Sequence, residues 1–210
     1  MIPITDSRIE SYLMHMIPED DPHLAAMEEK AEESGLPIVG RLVGRFLYLL
    51  TRLRQPALVV ELGSGFGYSA YWFARALSVR GKVVLTDYSE KNVAYARQVF
   101  TESGFSGRGE FRVGDALQIG REYNDIDLLF IDIDKYQYPE AIRVMWPRLA
   151  PNALVIADNA LWHGKVAEEG TQDRETEGIR QFNEFMFSHD DFFSSIIPLR
   201  DGVLLAYKFN

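Results

Sequence analysis

Two short segments concentrate hard oxygen donors. One is Phe130-Ile131-Asp132-Ile133-Asp134-Lys135 and the other is Asp158-Asn159. Asp132, Asp158 and Asn159 bring two carboxylates and an amide oxygen, a set suited to Mg²⁺ or a similar cation. A cation held there lowers the pKa of a bound hydroxyl and makes a nucleophile near neutral pH. Lys135, beside the cluster, is suited to take the hydroxyl proton if burial and the metal depress its own pKa. Blander readings stand next to these: a salt-bridged loop for Asp-x-Asp-Lys, and a helix cap or Asx turn for Asp158-Asn159. The two segments strengthen each other because both fall where an apolar run ends.

A second constellation is Glu61-Leu62-Gly63-Ser64-Gly65-Phe66-Gly67-Tyr68-Ser69. Glycines at this spacing let a backbone approach a ligand closely. A dinucleotide fingerprint requires G-x-G-x-x-G; here the third glycine comes one position early and Tyr68 takes its place, which weakens a nicotinamide or flavin reading. Asp87 ends the next apolar run, well placed for ribose hydroxyls. The alternatives are a tight turn for the glycines and a solvated carboxylate for Asp87.

These residues need elements to position them. Leu58–Leu62, Lys82–Asp87, Glu110–Val113, Ile126–Asp132 and Ala153–Asp158 read as strands, with helices over Tyr68–Leu77 and around Asn92–Glu102. Runs apolar on both faces and separated by helices predict an α/β fold, a parallel sheet covered on both sides. Ser194–Leu199 and Val203–Phe209 are joined by Arg200-Asp201-Gly202 alone, so they form an antiparallel hairpin. Before the first strand, Leu42, Val43, Phe46, Leu47, Leu49 and Leu50 make a helical stripe, and residues up to about Leu53 read as an N-terminal helical cap.

The 210 residues suffice for one sizeable domain. Hydrophobic residues at 47% and charged residues at 25% are ordinary globular values. Acidic side chains outnumber basic ones 31 to 22, a net charge of −9, which disfavours nucleic acid and anionic lipid as partners. The absence of cysteine removes disulfides, thiolate metal sites and cysteine nucleophiles. The four histidines form no spaced ligand set. Met1-Ile2-Pro3-Ile4-Thr5-Asp6 has no signal-peptide pattern and no apolar run is long enough to cross a bilayer, so a cytoplasmic location is expected.

The run Glu61–Ser69, the segment Phe130–Lys135, Asp158–Trp162 with Gly164 and Val166, and Ile197–Leu199 with Asp201-Gly202 resemble the cation-dependent O-methyltransferases. That family includes caffeoyl-CoA and catechol O-methyltransferases, and the resemblance extends from about Gly44 to the C-terminus. It implies a Rossmann-like class I methyltransferase fold. This is a mostly parallel seven-stranded sheet ending in an antiparallel hairpin, in a single domain over 1–210 with the cap over about 1–53 and the core from about 57. It implies S-adenosylmethionine as cofactor and a divalent cation, most simply Mg²⁺. Asp132, Asp158 and Asn159 match the family's metal ligands and Lys135 its general base, with Asp132 part of the catalytic set. Val39, Glu61, Gly63, Ser69, Asp87, Asp115, Ala116 and Asp134 match positions around S-adenosylmethionine.

The implied reaction is in-line methyl transfer to a hydroxyl of a small catechol-type acceptor. Trp162, directly after the Asp158-Asn159 motif, is the first candidate to line the acceptor site; Tyr136 and Tyr138 are either further lining or packing residues. A homodimer is implied too. Three features depart from the family: Asp87 where many relatives carry Glu, Ile133 where a small residue is frequent, and a poor match before Gly44. The charged stretch Val166–Glu177 is either a lid over the acceptor or a solvated loop. Two other readings of the chain are a catalytically silent S-adenosylmethionine-binding protein on the same fold and, more remotely, a nicotinamide-dependent oxidoreductase.

Overall fold

Successive residues of the central strands point to opposite faces and are buried on both, which requires cover on both sides. Val59 of Leu58–Leu62 (β1), Val83 and Leu85 of Lys82–Asp87 (β2) and Leu128 and Phe130 of Ile126–Ile131 (β4) enter one cluster. Val60, Leu62, Val84, Leu129 and Ile131 enter the other. Each such side chain contributes about 1.5–3 kcal/mol on burial. The computed structural model describes residues 3–18 and 21–209. Met1 and Ile2, on which the signal-peptide and cap expectations begin, lie outside these residues, as do Glu19, Asp20 and Asn210.

Gly109–Val113 (β3), Leu149–Ala157 (β5), Phe192–Ile197 (β6) and Val203–Lys208 (β7) complete a seven-stranded sheet among the described residues, in the order β3-β2-β1-β4-β5-β7-β6. β1 to β5 run parallel; β7 pairs antiparallel with both β5 and β6. The expected parallel sheet closed by an antiparallel hairpin is therefore present. The order reverses between β1 and β4, and such a reversal opens a crevice at the carboxyl ends of the strands.

The helices sort by face. Ser7–His15 (α1), Pro22–Ser34 (α2) and Gly40–Arg54 (α3) precede β1. Leu24 and Met27 of α2 and Val43 and Leu47 of α3 join the first cluster with Tyr68–Ala76 (α4) and Glu90–Glu102 (α5). The N-terminal segment thus shares its core with the sheet, except α1, which buries no side chain. Ala116–Gly120 (α6), Tyr138–Met145 (α7) and Arg174–Ser188 (α8) cover the other face. No helix among the described residues is long and apolar enough to cross a membrane.

Several boundaries differ from expectation, most of them by one or two residues; those of β6 and β5 matter for the loops they leave. β6 ends at Ile197, so the hairpin link spans 198–202 rather than Arg200–Gly202 alone. Pro198 has no N–H for the ladder, and its carbonyl accepts from Thr5 Oγ1 at 3.1 Å. β5 starts at Leu149, four residues early, with Asn152 in a left-handed conformation (φ 63°) inside it.

Candidate active site

The loop after β1 is locked to the end of β2. Thr86 N–H donates to Ser64 Oγ at 3.0 Å, Ser64 N–H to Thr86 O at 2.9 Å, and Thr86 Oγ1 to the Glu61 carbonyl at 3.0 Å. Gly63 has φ 80°, and a Cβ on it would fall 2.4 Å from the Asp132 carbonyl. Only glycine lets this loop pass so close to the end of β4.

Beside this loop is a cavity of about 370 Å³ at the sheet reversal. Val39, Gly63, Ser69, Asp87, Asp115, Ala116 and Asp134 line it, and so do Asp132 and Lys135. Ser89 N–H and Asn92 Nδ2 both bond to Oδ1 of Asp87, at 2.8 and 3.1 Å. Asp115 caps α6 through Gln118 N–H and accepts from Tyr88 Oη at 2.6 Å. Glu61 is not in the wall: it is fully buried, accepting from Ser69 Oγ with one oxygen while Oε2 has no partner. Burial pushes its carboxyl up to about 8 against the pull of the Ser69 hydroxyl.

Asp158, Asn159 and Trp162 lie outside that cavity wall. β4 and β5 pair as far as Ile131 and Ala157, so Asp132 and Asp158 follow adjacent strand ends. Tyr138 Oη joins these ends, with the carbonyls of Ile131 and Asp158 each 3.1 Å away. Asp158 is 4% exposed and its Oδ1 has no partner. Burial, then the neighbouring Asp132 charge, push its carboxyl up. Asn159 commits Nδ2 to Asp201 Oδ2 at 3.1 Å.

Lys135 Nζ donates to Asp132 Oδ1 at 2.7 Å and to the Ile133 carbonyl at 3.2 Å. Burial draws the ammonium down, yet its neighbours Tyr138 and Asp132 raise it above its ordinary value. Burial also raises the Tyr138 phenol, which is therefore neutral near pH 7. The expected depression of Lys135 is thus reversed while it is paired with Asp132, and the salt bridge of the blander reading is present.

An orphaned buried carboxylate oxygen, a second carboxylate beside it and an amide whose N–H₂ is already engaged make a donor set that fits a hard divalent cation. Among the described residues no three His, Asp or Glu side chains gather as a metal cluster; this set has two carboxylates and an amide.

Trp162 packs 5.9 Å from Lys135 Nζ, and its buried Nε1 has no partner. Tyr138 is fully buried and Tyr136 is covered by the Arg174 guanidinium, 3.4 Å from its ring, so neither tyrosine is an open acceptor surface. The stretch after Trp162 is gripped from below. Arg180 donates to the carbonyls of Lys165, Val166, Glu168 and Thr171 at 2.6–3.1 Å.

A family model described as O-methyltransferase matches residues 17–209. The chain belongs to the O-methyltransferase family. The resemblance drawn from its motifs is borne out. It is 30% identical over 210 residues to the catechol O-methyltransferase of Niastella koreensis, covering 94% of this chain and 95% of that protein. A solved methyltransferase from Geobacter sulfurreducens is 43% identical, with a TM-score of 0.87 over 99% of this chain and 100% of that one. The O-methyltransferase TomG from Streptomyces achromogenes, involved in tomaymycin synthesis and solved in complex with SAM, is 28% identical. Its TM-score is 0.88, over 97% of this chain and 96% of that one.

In this O-methyltransferase, side chains at the site that sequence did not single out include Tyr88 over Asp115, Thr86 behind the glycine loop, Asn92 on Asp87, and Arg180 on the 165–171 carbonyls. Only Tyr88 left a local signal, an aromatic residue directly after the strand-end Asp87.

Proposed function

We propose that the enzyme transfers a methyl group from S-adenosylmethionine to a hydroxyl of a small catechol-type acceptor in a divalent-cation-dependent reaction. One observation carries this reading. The cavity at the sheet reversal, large enough to hold a nucleoside-sized ligand, is lined by Asp132 and Lys135, and Asp132 follows the strand end next to the one that Asp158 follows.

The methyl donor occupies that cavity. Asp87, with Oδ1 already engaged, offers Oδ2 to the ribose hydroxyls. Gly63, Val39 and Ala116 contribute close backbone, Asp115 and Tyr88 close the adenine end, and Asp134 stands at the rim. Glu61 acts through Ser69, whose hydroxyl it orients. Asp132, Asp158 and Asn159 hold the cation, most simply Mg²⁺, which when bound acts as a Lewis acid on an acceptor hydroxyl.

Lys135 holds the proton at Nζ. While Asp132 Oδ1 is its partner, Lys135 stays an ammonium ion. Burial favours the neutral amine that accepts a proton, against the pull of Tyr138 and Asp132 toward the ammonium. Trp162 lines the acceptor side, its free indole N–H available to an acceptor oxygen. Transfer neutralises a sulfonium and an oxyanion, so alignment and exclusion of water supply most of the rate.

The test is transfer from labelled S-adenosylmethionine to a simple catechol acid, with Mg²⁺ and with EDTA. Transfer should vanish in EDTA and return with Mg²⁺; transfer untouched by EDTA overturns the cation assignment. Asp158→Ala should lower turnover by at least the roughly 10–100-fold that even outer-shell partners of a metal site cost.

A further inference from the structure

Asp201 lies in the 198–202 link, with 11% of its side chain exposed. Its Oδ2 accepts from Asn159 Nδ2 at 3.1 Å, its Oδ1 accepts the His163 backbone N–H, and His163 Nδ1 lies 3.4 Å from Oδ2. The main chain of the link adds two bonds to the same turn: Leu161 N–H to Asp201 O at 2.9 Å and Ala160 N–H to Gly202 O at 2.8 Å. That turn is left-handed at Asn159, Trp162 and His163 (φ 56°, 45° and 56°), a conformation that persists only where its surroundings hold it.

A carboxamide has two ends of nearly the same shape, and half a turn about its last bond exchanges N–H₂ for oxygen. A carboxylate, however, only accepts. Asp201 therefore admits the N–H₂ end of Asn159 and leaves Oδ1 at the opposite end. The adjacent residue, Asp158, carries the buried Oδ1 without a partner. We propose that Asp201 is a positioning residue that selects the oxygen end of Asn159 for the divalent cation, and thereby sets how tightly the cation is held. The inference rests on the cation reading given above.

The reversed pair tests it. In Asp201→Asn, the new amide can keep its oxygen on His163 N–H and turn its N–H₂ to residue 159. The Asn159 oxygen is then drawn away from the cation. Mn²⁺ binding to the whole chain, measured by titration calorimetry, should weaken by about 10–100-fold. S-adenosylhomocysteine affinity, measured without Mn²⁺, should stay unchanged.

Asn159→Asp alone sets two carboxylates face to face and should also bind poorly. Combined with Asp201→Asn, it places a donor at 201 and an oxygen at both ends of residue 159, and Mn²⁺ binding should recover. A merely structural Asp201 predicts no such recovery. Mn²⁺ binding by Asp201→Asn equal to wild type, or a double variant no better than the single one, overturns the proposal. If Asp201→Asn loses S-adenosylhomocysteine binding as well, the double variant decides: recovery of both ligands supports the proposal and recovery of neither overturns it. A wild-type chain that takes no Mn²⁺ while binding S-adenosylhomocysteine overturns the cation reading itself, and this inference with it.

Discussion

Glu61 shows how a single side chain can work against the fold that needs it. Its carboxyl is raised to about 8 in the folded chain from an ordinary 4.5. A group raised on folding contributes stability below its unfolded pKa and loses that contribution as pH climbs through the folded value. The wild type should therefore lose stability relative to Glu61→Gln between pH 4.5 and 8, by a few kcal/mol in all, as urea unfolding at a series of pH values would record. A difference that stays flat across this window would mean that Glu61 is ionised where it stands. At this scale the sequence was legible wherever a residue type alone carries the chemistry: Asp132, Asp158 and Asn159 stood out as oxygen donors at run ends. The state of Lys135 was not legible, because its direction depends on a 2.7 Å contact with Asp132 that spacing permits but does not require.

Among the elements, α8 packs directly against the turn that carries Lys135. Gly178 sits where a Cβ would come within 2.5 Å of the Lys135 carbonyl and 2.6 Å of Tyr136 Cα. Glycine inside a helix is ordinarily worse than alanine by about 0.5–1 kcal/mol, so a propensity argument has Gly178→Ala stabilising the protein. The contact reverses the sign: the 135–137 turn must move, and the melting temperature should fall rather than rise, with methyl transfer falling alongside as Lys135 is displaced. A variant that melts higher and keeps its activity would mean that the turn yields without cost.

Strands and the hairpin were readable from apolar runs and short links because those signals are local. Gly178 and Lys135 are 43 positions apart, and no periodicity connects them. Nor does any local pattern mark Tyr138 as the tie between the ends of β4 and β5, 7 and 20 positions from Ile131 and Asp158, and it stayed among the candidates for the acceptor wall or for packing. The lid or solvated-loop alternative for Val166–Glu177 was likewise undecidable locally: residues 174–177 open α8 rather than belonging to a loop, and Arg180 of that helix holds the carbonyls of Val166, Glu168 and Thr171.

At the level of the whole molecule, the cavity at the sheet reversal is the feature that ligand binding should report. S-adenosylhomocysteine at about 100 times its Kd adds about 2.7 kcal/mol to folding, which for a chain of this size raises Tm by roughly 5–10 °C. NADH at equal concentration should leave Tm where it is, and the opposite pattern would return the nicotinamide reading that the early third glycine weakened. The cavity also has a wall that is not its own. Gly63 lies so close to the Asp132 carbonyl that no side chain fits between them, so the loop under the methyl donor and the backbone of a cation ligand move together or not at all. On the proposed reading, the two ligands are then thermodynamically reciprocal. By whatever factor the bound nucleoside tightens or loosens Mn²⁺, Mn²⁺ must alter the nucleoside's affinity by the same factor, and two titrations run in opposite order would close the cycle.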